Sequence, residues 1–272
     1  MVPYSLAFLT LLLFKTMSCP LDVLSEAVLA DGFCAFELPV TVNQARSIVA
    51  IDATRALVLE RGRNAITFLE DSNQDGVADT SRVLVSANRL NHGLKLHDGY
   101  IYASSDTIVY RWPYTDNNFT DIGAVEIVVN NINADGQGGA PFGHTTRTLA
   151  FDRLGRLYVS VGSNANVDPD SFRSRIRRFS DLTPDLFPID FLTGEVFADG
   201  VRNEVGLAFD RYGVLWGVEN GADRLQREDL GGFITDDNPA EELHRFPEEI
   251  AGSHFGYPYC WTEYLLPEEF GM

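Results

Sequence analysis

Three segments of this 272-residue chain repeat one hairpin layout. Each has an apolar strand, a turn with Asp or His followed by Gly, and a second strand with aromatic residues: LKLHDGYIYAS (94–104), LAFDRLGRLYVSVGS (149–163) and LAFDRYGVLWGVENG (207–221). The turn glycines Gly99, Gly155 and Gly213 lie 56 and 58 residues apart, and glycine tolerates the positive φ that such turns need. Common propeller repeats span about 40–50 residues, so this slightly longer period predicts four-stranded blades with loop insertions.

Short apolar runs between Gly, Asp and Asn predict an all-β fold from residue 45 onward. Residues 56–59, 66–69 and 100–102 read as strands, and no stretch keeps a helical period. The regular hairpins favour a β-propeller over a β-sandwich, which does not need this regularity. The 253 residues that follow Cys19 provide about four blades. We therefore expect an incomplete β-propeller of the six-bladed type, with a closed four-bladed ring as the alternative.

The net charge and the first segment of the chain restrict which partners it can bind and where it is located. A net charge of −18 argues against nucleic acid, because phosphate binding needs a basic surface. The apolar run from Tyr4 to Phe14 is too short to span a bilayer but suits a signal peptide. We expect residues 1–19 to be a signal peptide, residues 20–272 to be the partial propeller, and the product to be secreted without a membrane span. A mitochondrial presequence or a buried helix is the alternative, and the sequon at Asn118 matters only in a secreted eukaryotic protein.

The three cysteines are too few for a disulfide framework. If cleavage removes Cys19, then Cys34 and Cys260 remain as a possible pair in an oxidising compartment. The sequence has no CxxC motif and no Cys/His cluster, so it does not predict a zinc site.

Two loops at equivalent positions of neighbouring blades carry the residues most suited to chemistry. His144, in GGAPFGHTTRTLAFD, precedes an inner strand, and a neutral imidazole there can accept a proton from a hydroxyl. Arg202 and Asn203, in FADGVRNEVGLAFD, occupy the matching loop one blade later and offer a planar cation with an amide. Such loops converge on one channel mouth, so the three residues are expected to share a site. A capping histidine and an interblade salt bridge are the structural alternatives.

Two further segments are rich in oxygen ligands. The carbonyls of Gly221 and Ala222, with Glu219, Glu241 or Glu242 nearby, suit a hard cation such as calcium. A surface acidic loop is the alternative. DSNQDGVAD (71–79) matches the first part of a calcium loop, but Arg82 stands where the bidentate Glu belongs. A hairpin turn explains this second segment equally well.

The motifs GHTTRTLAFD, GEVFADGVRNEVGLAFD and NPAEEL…GYPYCW, in this order, resemble those of the soluble quinoprotein glucose/sorbosone dehydrogenase family, with the closest likeness to its sorbosone and pyranose dehydrogenase branch. The resemblance covers roughly residues 45–262. It implies a six-bladed propeller that binds pyrroloquinoline quinone (PQQ) and calcium at the channel mouth. It also implies a histidine that takes the proton of a sugar hydroxyl while hydride passes to the quinone.

Carried over by motif, the resemblance implies that His144 is the base and that Arg202 and Asn203 contact the quinone. It also implies that the carbonyls of Gly221 and Ala222 bind calcium and that His92, in LNHGLKL, contacts quinone or substrate.

The chain departs from the family pattern in two places. In the glucose-oxidising branch an Asp orients the histidine from the place where this chain has Ser163, so Asn164 or Asp168 is expected to take that role. Further quinone contacts come from a fifth and a sixth blade, which lie outside this sequence.

The expected function is a PQQ- and calcium-dependent dehydrogenase of a sugar or polyol that passes electrons to an external acceptor. A non-catalytic secreted propeller that binds a carbohydrate or a protein is the alternative, because propellers host many functions.

Overall fold

The described residues form five β-sheets, four of which are arranged as the blades of a propeller. The computed structural model describes residues 19–115, 119–132, 143–170, 172–234 and 241–262. Outside the strands, these ranges contain four short 3₁₀ segments, at Pro184–Leu186, Phe191–Thr193, Glu228–Leu230 and Glu248–Ile250. The predictions of an all-β fold and of about four blades of an incomplete propeller are confirmed.

The first blade is an antiparallel meander of four strands in sequence order. It comprises β1 (Ala45–Ala50), β2 (Arg55–Glu60), β3 (Ala65–Glu70) and β4 (Thr80–Ser86). Successive residues of β2 and β3 are buried on both faces of the sheet, because the second blade and the N-terminal segment cover it. Their near-continuous apolar sequences follow from this two-sided burial.

The second blade repeats this meander and gains a strand at its outer edge. It comprises β5 (Leu94–His97), β6 (Tyr100–Ser104), β7 (Val109–Pro113) and β8 (Glu126–Asn130). The short strand β12 (Ile189–Asp190) pairs in parallel with β8 and so covers the outer edge of the blade.

The third blade has the same construction. It comprises β9 (Leu149–Phe151), β10 (Leu157–Val161), β11 (Arg175–Phe179) and β13 (Glu195–Asp199). The strand β19 (Ser253–His254) adds in parallel to β13.

The fourth blade has three strands among the described residues: β14 (Glu204–Phe209), β15 (Leu215–Glu219) and β18 (Glu242–Phe246). A small hairpin of β16 (Gln226–Arg227) and β17 (Gly232–Phe233) lies in the connection between β15 and β18.

The first strands of the blades surround a central channel. β1 contacts β5, β5 contacts β9, and β9 contacts β14. A cavity of about 190 Å³ is lined by residues of all four strands or of the segments that lead into them. The loops that enter these strands therefore converge at one end of the channel.

Three apolar clusters fill the interfaces between successive blades, and each draws on both partners. They contain, in chain order, Ile66 with Trp112, Tyr102 with Leu157, and Tyr158 with Phe246, among others. Fully burying one such side chain contributes roughly 1.5–3 kcal/mol, so each blade depends on its neighbour for its stability.

The repeated turns have the backbone predicted for them. Gly99, Gly155 and Gly213 have φ of +76°, +77° and +82°, and each closes a hairpin between the first two strands of its blade. The repeat in the sequence is therefore the inner hairpin of the blades.

The loop at 71–79 connects β3 to β4, as the hairpin interpretation predicts. The Asp71 carboxylate accepts backbone hydrogen bonds from Asp75 at 3.1 Å and from Gly76 at 2.8 Å.

The cysteine pairing differs from the one that the sequence suggested. Cys19 forms a disulfide with Cys34, and Cys260 is free and exposed. The possible pair of Cys34 with Cys260, which the sequence left open, is not formed, because Cys34 is bonded to Cys19, 15 residues before it.

Two sequence-based expectations concern residues that the structure does not describe. The apolar run at 4–14 and Asn118 of the sequon lie outside the described residues. Within the ranges that are described, no helix has the length and the apolar character needed to cross a membrane.

Candidate active site at the channel mouth

His144 lies in the loop that enters β9, and Ser163, just after β10, holds it. The His144 backbone N–H donates to the Ser163 carbonyl at 3.0 Å. The ring Nδ1 lies 2.9 Å from Ser163 Oγ and 3.1 Å from the Ser163 carbonyl oxygen. Ser163 Oγ itself donates to the Ala165 carbonyl at 2.8 Å, so both partners of Nδ1 act as acceptors. This network assigns the ring proton to Nδ1 and leaves the lone pair on Nε2.

The environment of His144 keeps its imidazole neutral. Partial burial of the ring is the main cause that lowers its pKa below the usual value of 6.5, and the charges of Arg202 and Arg147 lower it further. The hydrogen bond to the Ser163 carbonyl and the charge of Asp223 act in the opposite direction. Nε2 has no hydrogen-bond partner among the described residues, so it is available as a proton acceptor near neutral pH.

Neither Asn164 nor Asp168 orients the histidine, contrary to the sequence-based expectation. The Asp168 carboxylate is paired with Arg173 Nε at 2.6 Å and accepts the Asn164 backbone N–H at 2.7 Å. This ion pair holds the carboxylate away from the imidazole and lowers its pKa against the cost of burial. Ser163, at the position of the family's Asp, therefore orients the ring with a neutral group.

The loops of His144 and of Arg202 and Asn203 meet at Gly162. A Cβ atom added to Gly162 would lie 2.6 Å from His144 Cβ and 2.7 Å from Asn203 Oδ1. The Ser163 backbone N–H also donates to the Arg202 carbonyl at 2.9 Å. The structure thus brings the three predicted residues together, and it does so because Gly162 has no side chain.

The guanidinium of Arg202 is buried and is held mainly by the chain itself. Nε and Nη2 donate to Asn166, at 3.2 Å to its carbonyl and 3.1 Å to Oδ1, and Nη1 donates to the Asn220 carbonyl at 3.0 Å. Asp223 lies 3.4 Å from Nη2. Arg202 therefore has a fixed position, and most of its donors already have partners.

The side chains of Asn203 and His92 flank the same end of the channel. Asn203 Nδ2 lies 3.5 Å from Asn220 Oδ1. His92 Nε2 donates to the Val205 carbonyl at 3.0 Å, and its Nδ1 lies 3.5 Å from Arg46 Nη2. Burial lowers the pKa of His92, which keeps the ring neutral. Both of its ring nitrogens have protein partners, so His92 acts in this structure as a link across the channel.

Gly221 and Ala222 line a cavity of about 440 Å³ in the fourth blade. The Gly221 N–H donates to the Glu241 carboxylate, whereas neither carbonyl of this pair accepts a hydrogen bond from a described residue. Asn166 and Asp223, which hold Arg202, line the same cavity, but His144 does not. The calcium site predicted at Gly221 and Ala222 therefore lies next to Arg202 rather than next to His144.

From the sequence, Glu219 was considered only as a calcium ligand. In the structure its carboxylate also contacts the loop of Arg202. Its Oε2 accepts the Arg202 backbone N–H at 2.7 Å. Burial, with the nearby charge of Glu204, raises the pKa of Glu219 to about 8. Sequence reasoning missed Glu204, although its place directly after Asn203 was a usable signal.

Comparisons with known proteins agree with this geometry. The family model described as TrAA12-like matches residues 27–269. The chain is 35% identical over 255 residues to a PQQ-dependent sugar dehydrogenase of Hypocrea jecorina, covering 86% of this chain and 57% of that protein. It is 30% identical over 251 residues to a PQQ-dependent pyranose dehydrogenase of Coprinopsis cinerea, covering 86% of this chain and 33% of that protein. The chain thus spans about half or less of the length of these relatives.

Solved structures give the same result. The calcium structure of a Trichoderma reesei carbohydrate-active enzyme of family AA12 superposes with a TM-score of 0.74 at 31% identity, covering 89% of this chain and 62% of that one. The holo form of the PQQ domain of Coprinopsis cinerea pyranose dehydrogenase superposes with a TM-score of 0.67 at 28% identity, covering 80% and 54%. With the match of the family model over most of its length, the chain belongs to the TrAA12-like family.

Proposed function

We propose that this chain belongs to a secreted, PQQ- and calcium-dependent dehydrogenase of a sugar or polyol. The observation that carries the proposal is the neutral His144, whose Nδ1–H is held by Ser163 and whose Nε2 has no partner among the described residues near Arg202 and Asn203. The names of the relatives, a sugar and a pyranose dehydrogenase, support a sugar substrate. An external acceptor would take the electrons from the reduced cofactor.

The residues present fit a calcium ion. The carbonyls of Gly221 and Ala222 have no partner among the described residues, and Asp223 and Glu241 lie beside them in the lining of the 440 Å³ cavity. Neutral carbonyls together with carboxylates form the oxygen-rich set that Ca²⁺ prefers. Calcium would also neutralise a wall that is otherwise acidic.

The fit to the quinone depends on that calcium. PQQ carries carboxylates, which an acidic wall would repel, so a bound cation would be needed to hold the quinone there. Arg202 adds a fixed positive charge beside the cavity, at 3.4 Å from Asp223. Asn203 offers an amide at the same mouth. We therefore assign the binding of the quinone to Arg202, Asn203 and calcium together, and a contact from His92 stays a prediction.

His144 would supply the proton transfer. Its Nε2 would accept the proton of the sugar hydroxyl, and the Nδ1–H bond to Ser163 would keep the ring aimed and share the charge of the imidazolium. When bound, PQQ would supply the acceptor for the hydride from the carbon that carries this hydroxyl, so that the alcohol becomes a carbonyl. A positioned general base contributes typically about 10²–10⁴-fold to the rate.

One observation favours the second candidate, a propeller that binds without catalysis. The donors of Arg202 are mostly used within the chain, as are both ring nitrogens of His92. Such a site has few donors left for the carboxylates of a quinone, whereas a neutral carbohydrate does not need a cationic partner.

A titration with PQQ separates the two candidates. The dehydrogenase proposal expects the protein to bind PQQ in the presence of Ca²⁺, seen as quenching of protein fluorescence, and to lose this binding on chelation. Arg202→Lys keeps the charge but removes the planar set of donors, and it should weaken binding at least tenfold. Sugar binding without any PQQ binding would establish the second candidate instead.

The proposal of secretion also specifies where the signal peptide is cleaved. The disulfide between Cys19 and Cys34 requires both residues in the mature chain and an oxidising compartment. We therefore propose a signal peptide that is cleaved before Cys19, one residue or more ahead of the expected boundary.

A further inference from the structure

Three carboxylates face one another across the strands of the fourth blade. Glu204 of β14 is paired in register with Glu219 of β15, and Glu219 with Glu242 of β18. Glu204 and Glu219 are 2% and 4% exposed. Like charges directly opposite one another destabilise a sheet, and buried charges need partners. This row is therefore stable only with bound protons or with positive charge inside it.

His244 provides part of that charge. It lies two residues after Glu242 on β18 and thus on the same face of the sheet, opposite Gly217. A Cβ atom at Gly217 would lie 2.4 Å from Glu204 Oε2, so the absence of a side chain there makes room for the cluster. His244 Nδ1 lies 2.6 Å from Glu204 Oε1 and 3.8 Å from Glu219 Oε2.

One protonated imidazole does not compensate the whole row. Glu204 Oε2 is buried and has no hydrogen-bond partner among the described residues. A buried acceptor left unsatisfied costs about 1–3 kcal/mol, and more when it is charged. This oxygen therefore has an acceptor site left for a cation.

We propose that Glu204, Glu219 and His244 bind a Zn²⁺ ion, at a site separate from the carbonyls of Gly221 and Ala222. One ligand atom from each of the three residues lies within 4.8 Å of the others. In a tetrahedral site with bonds of about 2.0–2.1 Å, the ligand atoms lie ~3.3 Å apart. The separations at His244, 2.6 Å in its hydrogen bond to Glu204 and 3.8 Å to Glu219, lie on either side of that value, so an ion would replace the hydrogen-bonded proton with a small shift of the side chains. An imidazole ligand favours Zn²⁺ over Ca²⁺.

The surroundings of His244 fit a ligand histidine. Its Nε2 lies 3.1 Å from the Glu242 carboxylate, which in turn accepts a hydrogen bond from Thr262 Oγ1 at 2.6 Å. A carboxylate on the second ring nitrogen of a metal-bound histidine fixes the tautomer and raises its basicity. Glu219 and Glu242 also line the 440 Å³ cavity, which gives an ion a path of entry. Bound zinc would tie β14, β15 and β18 together beneath Arg202.

The test measures zinc in the chelator-treated full chain by equilibrium dialysis and elemental analysis. We expect one Zn²⁺ per chain, with a rise in the melting temperature, and an affinity at least 100-fold lower in Glu204→Gln and His244→Gln. His254→Gln is the matched control, because His254 is exposed on β19, and it should bind zinc as the wild type does. Co²⁺ in place of zinc should give visible absorption bands in the wild type and the control only.

A folded wild type that binds no zinc would overturn the proposal, as would equal affinity in the His244 and His254 variants.

If His244→Gln does not fold, Glu242→Gln takes its place. That variant leaves all three ligands intact and should weaken zinc binding about tenfold by removing the partner of Nε2. Unchanged affinity in it would contradict the proposal. Displacement of zinc by millimolar Ca²⁺ would assign the cluster to the calcium site and also overturn it. The proposal does not depend on PQQ binding.

Discussion

Ser163 Oγ lies 2.9 Å from His144 Nδ1 while its own proton is donated to the Ala165 carbonyl. A hydroxyl so held can only accept from the imidazole, which fixes the tautomer that a general base needs. A neutral group orients the imidazole here, whereas a carboxylate has that role in the glucose-oxidising branch of the family that the sequence resembles. The histidine therefore gains orientation without the rise in basicity that a negative charge gives.

Changing Ser163 should separate these two effects. Ser163→Ala leaves only the carbonyl acceptor at 3.1 Å, and we expect kcat/KM to fall about tenfold through poorer orientation. Ser163→Asp places a negative charge beside Nδ1 and stabilises the imidazolium, so it should raise the pKa of His144.

The pH dependence of kcat/KM measures that pKa. Because burial and Arg202 lower the pKa of His144, the base stays neutral as the pH falls to the usual value of 6.5 and is lost only below it. The acidic limb of the wild-type profile should lie below pH 6.5, and Ser163→Asp should move it upward. Identical limbs in the two proteins would show that another group titrates.

Gly162 should be intolerant of any side chain. The Cβ atom of Gly162→Ala would lie 2.6 Å from His144 Cβ, so the two loops must separate. We expect a loss of about 1–3 kcal/mol of unfolding free energy and a fall in activity of at least 100-fold. Gly206→Ala is a matched control, since its Cβ would meet the Val218 side chain at 2.6 Å in the fourth blade. It should lose similar stability but retain more activity, as denaturant unfolding and initial rates would show.

Calcium should act through the loop at Gly221. Chelation of Ca²⁺ should abolish PQQ binding, and added Ca²⁺ should restore it, because the cation neutralises the acidic wall. Glu241→Gln, beside that loop, should raise the calcium concentration for half-maximal binding at least tenfold. Glu228→Gln, in an exposed 3₁₀ segment, should leave it unchanged. Equal calcium dependence in both variants would contradict the assignment of the loop.

The disulfide should be detectable in the secreted protein. Non-reducing peptide mapping should recover Cys19 linked to Cys34 and should find Cys260 alkylated, as the structure pairs them. N-terminal sequencing should place cleavage before Cys19. A mature chain that begins after Cys19 would contradict both statements.

The repeat and the loops could be predicted from the sequence because their signals are local. A turn glycine between two strands recurs at Gly99, Gly155 and Gly213, and the equivalent positions of two loops sufficed to place His144 near Arg202. The disulfide could not be predicted, because it depends on the path of a segment without strands. The partner of His144 was also missed, since a serine gives no signal of its role until Ser163 is seen bonded to Ala165.

The cluster at Glu204 and His244 needed register that the sequence does not give. The two residues are 40 positions apart, and their meeting depends on which residues of β14, β15 and β18 stand opposite one another. Gly217 leaves room for the two side chains because it has none of its own, and nothing in the sequence distinguishes it from other glycines in strands.

Sugar-dependent reduction of a dye, measured on protein loaded with PQQ and Ca²⁺, tests the central claim most directly. His144→Gln is compared with His254→Gln after each variant is shown to bind PQQ as the wild type does. The account predicts that His144→Gln loses at least 100-fold in kcat while His254→Gln retains wild-type activity. Wild-type turnover in His144→Gln, or no turnover in any protein that binds PQQ, would contradict it.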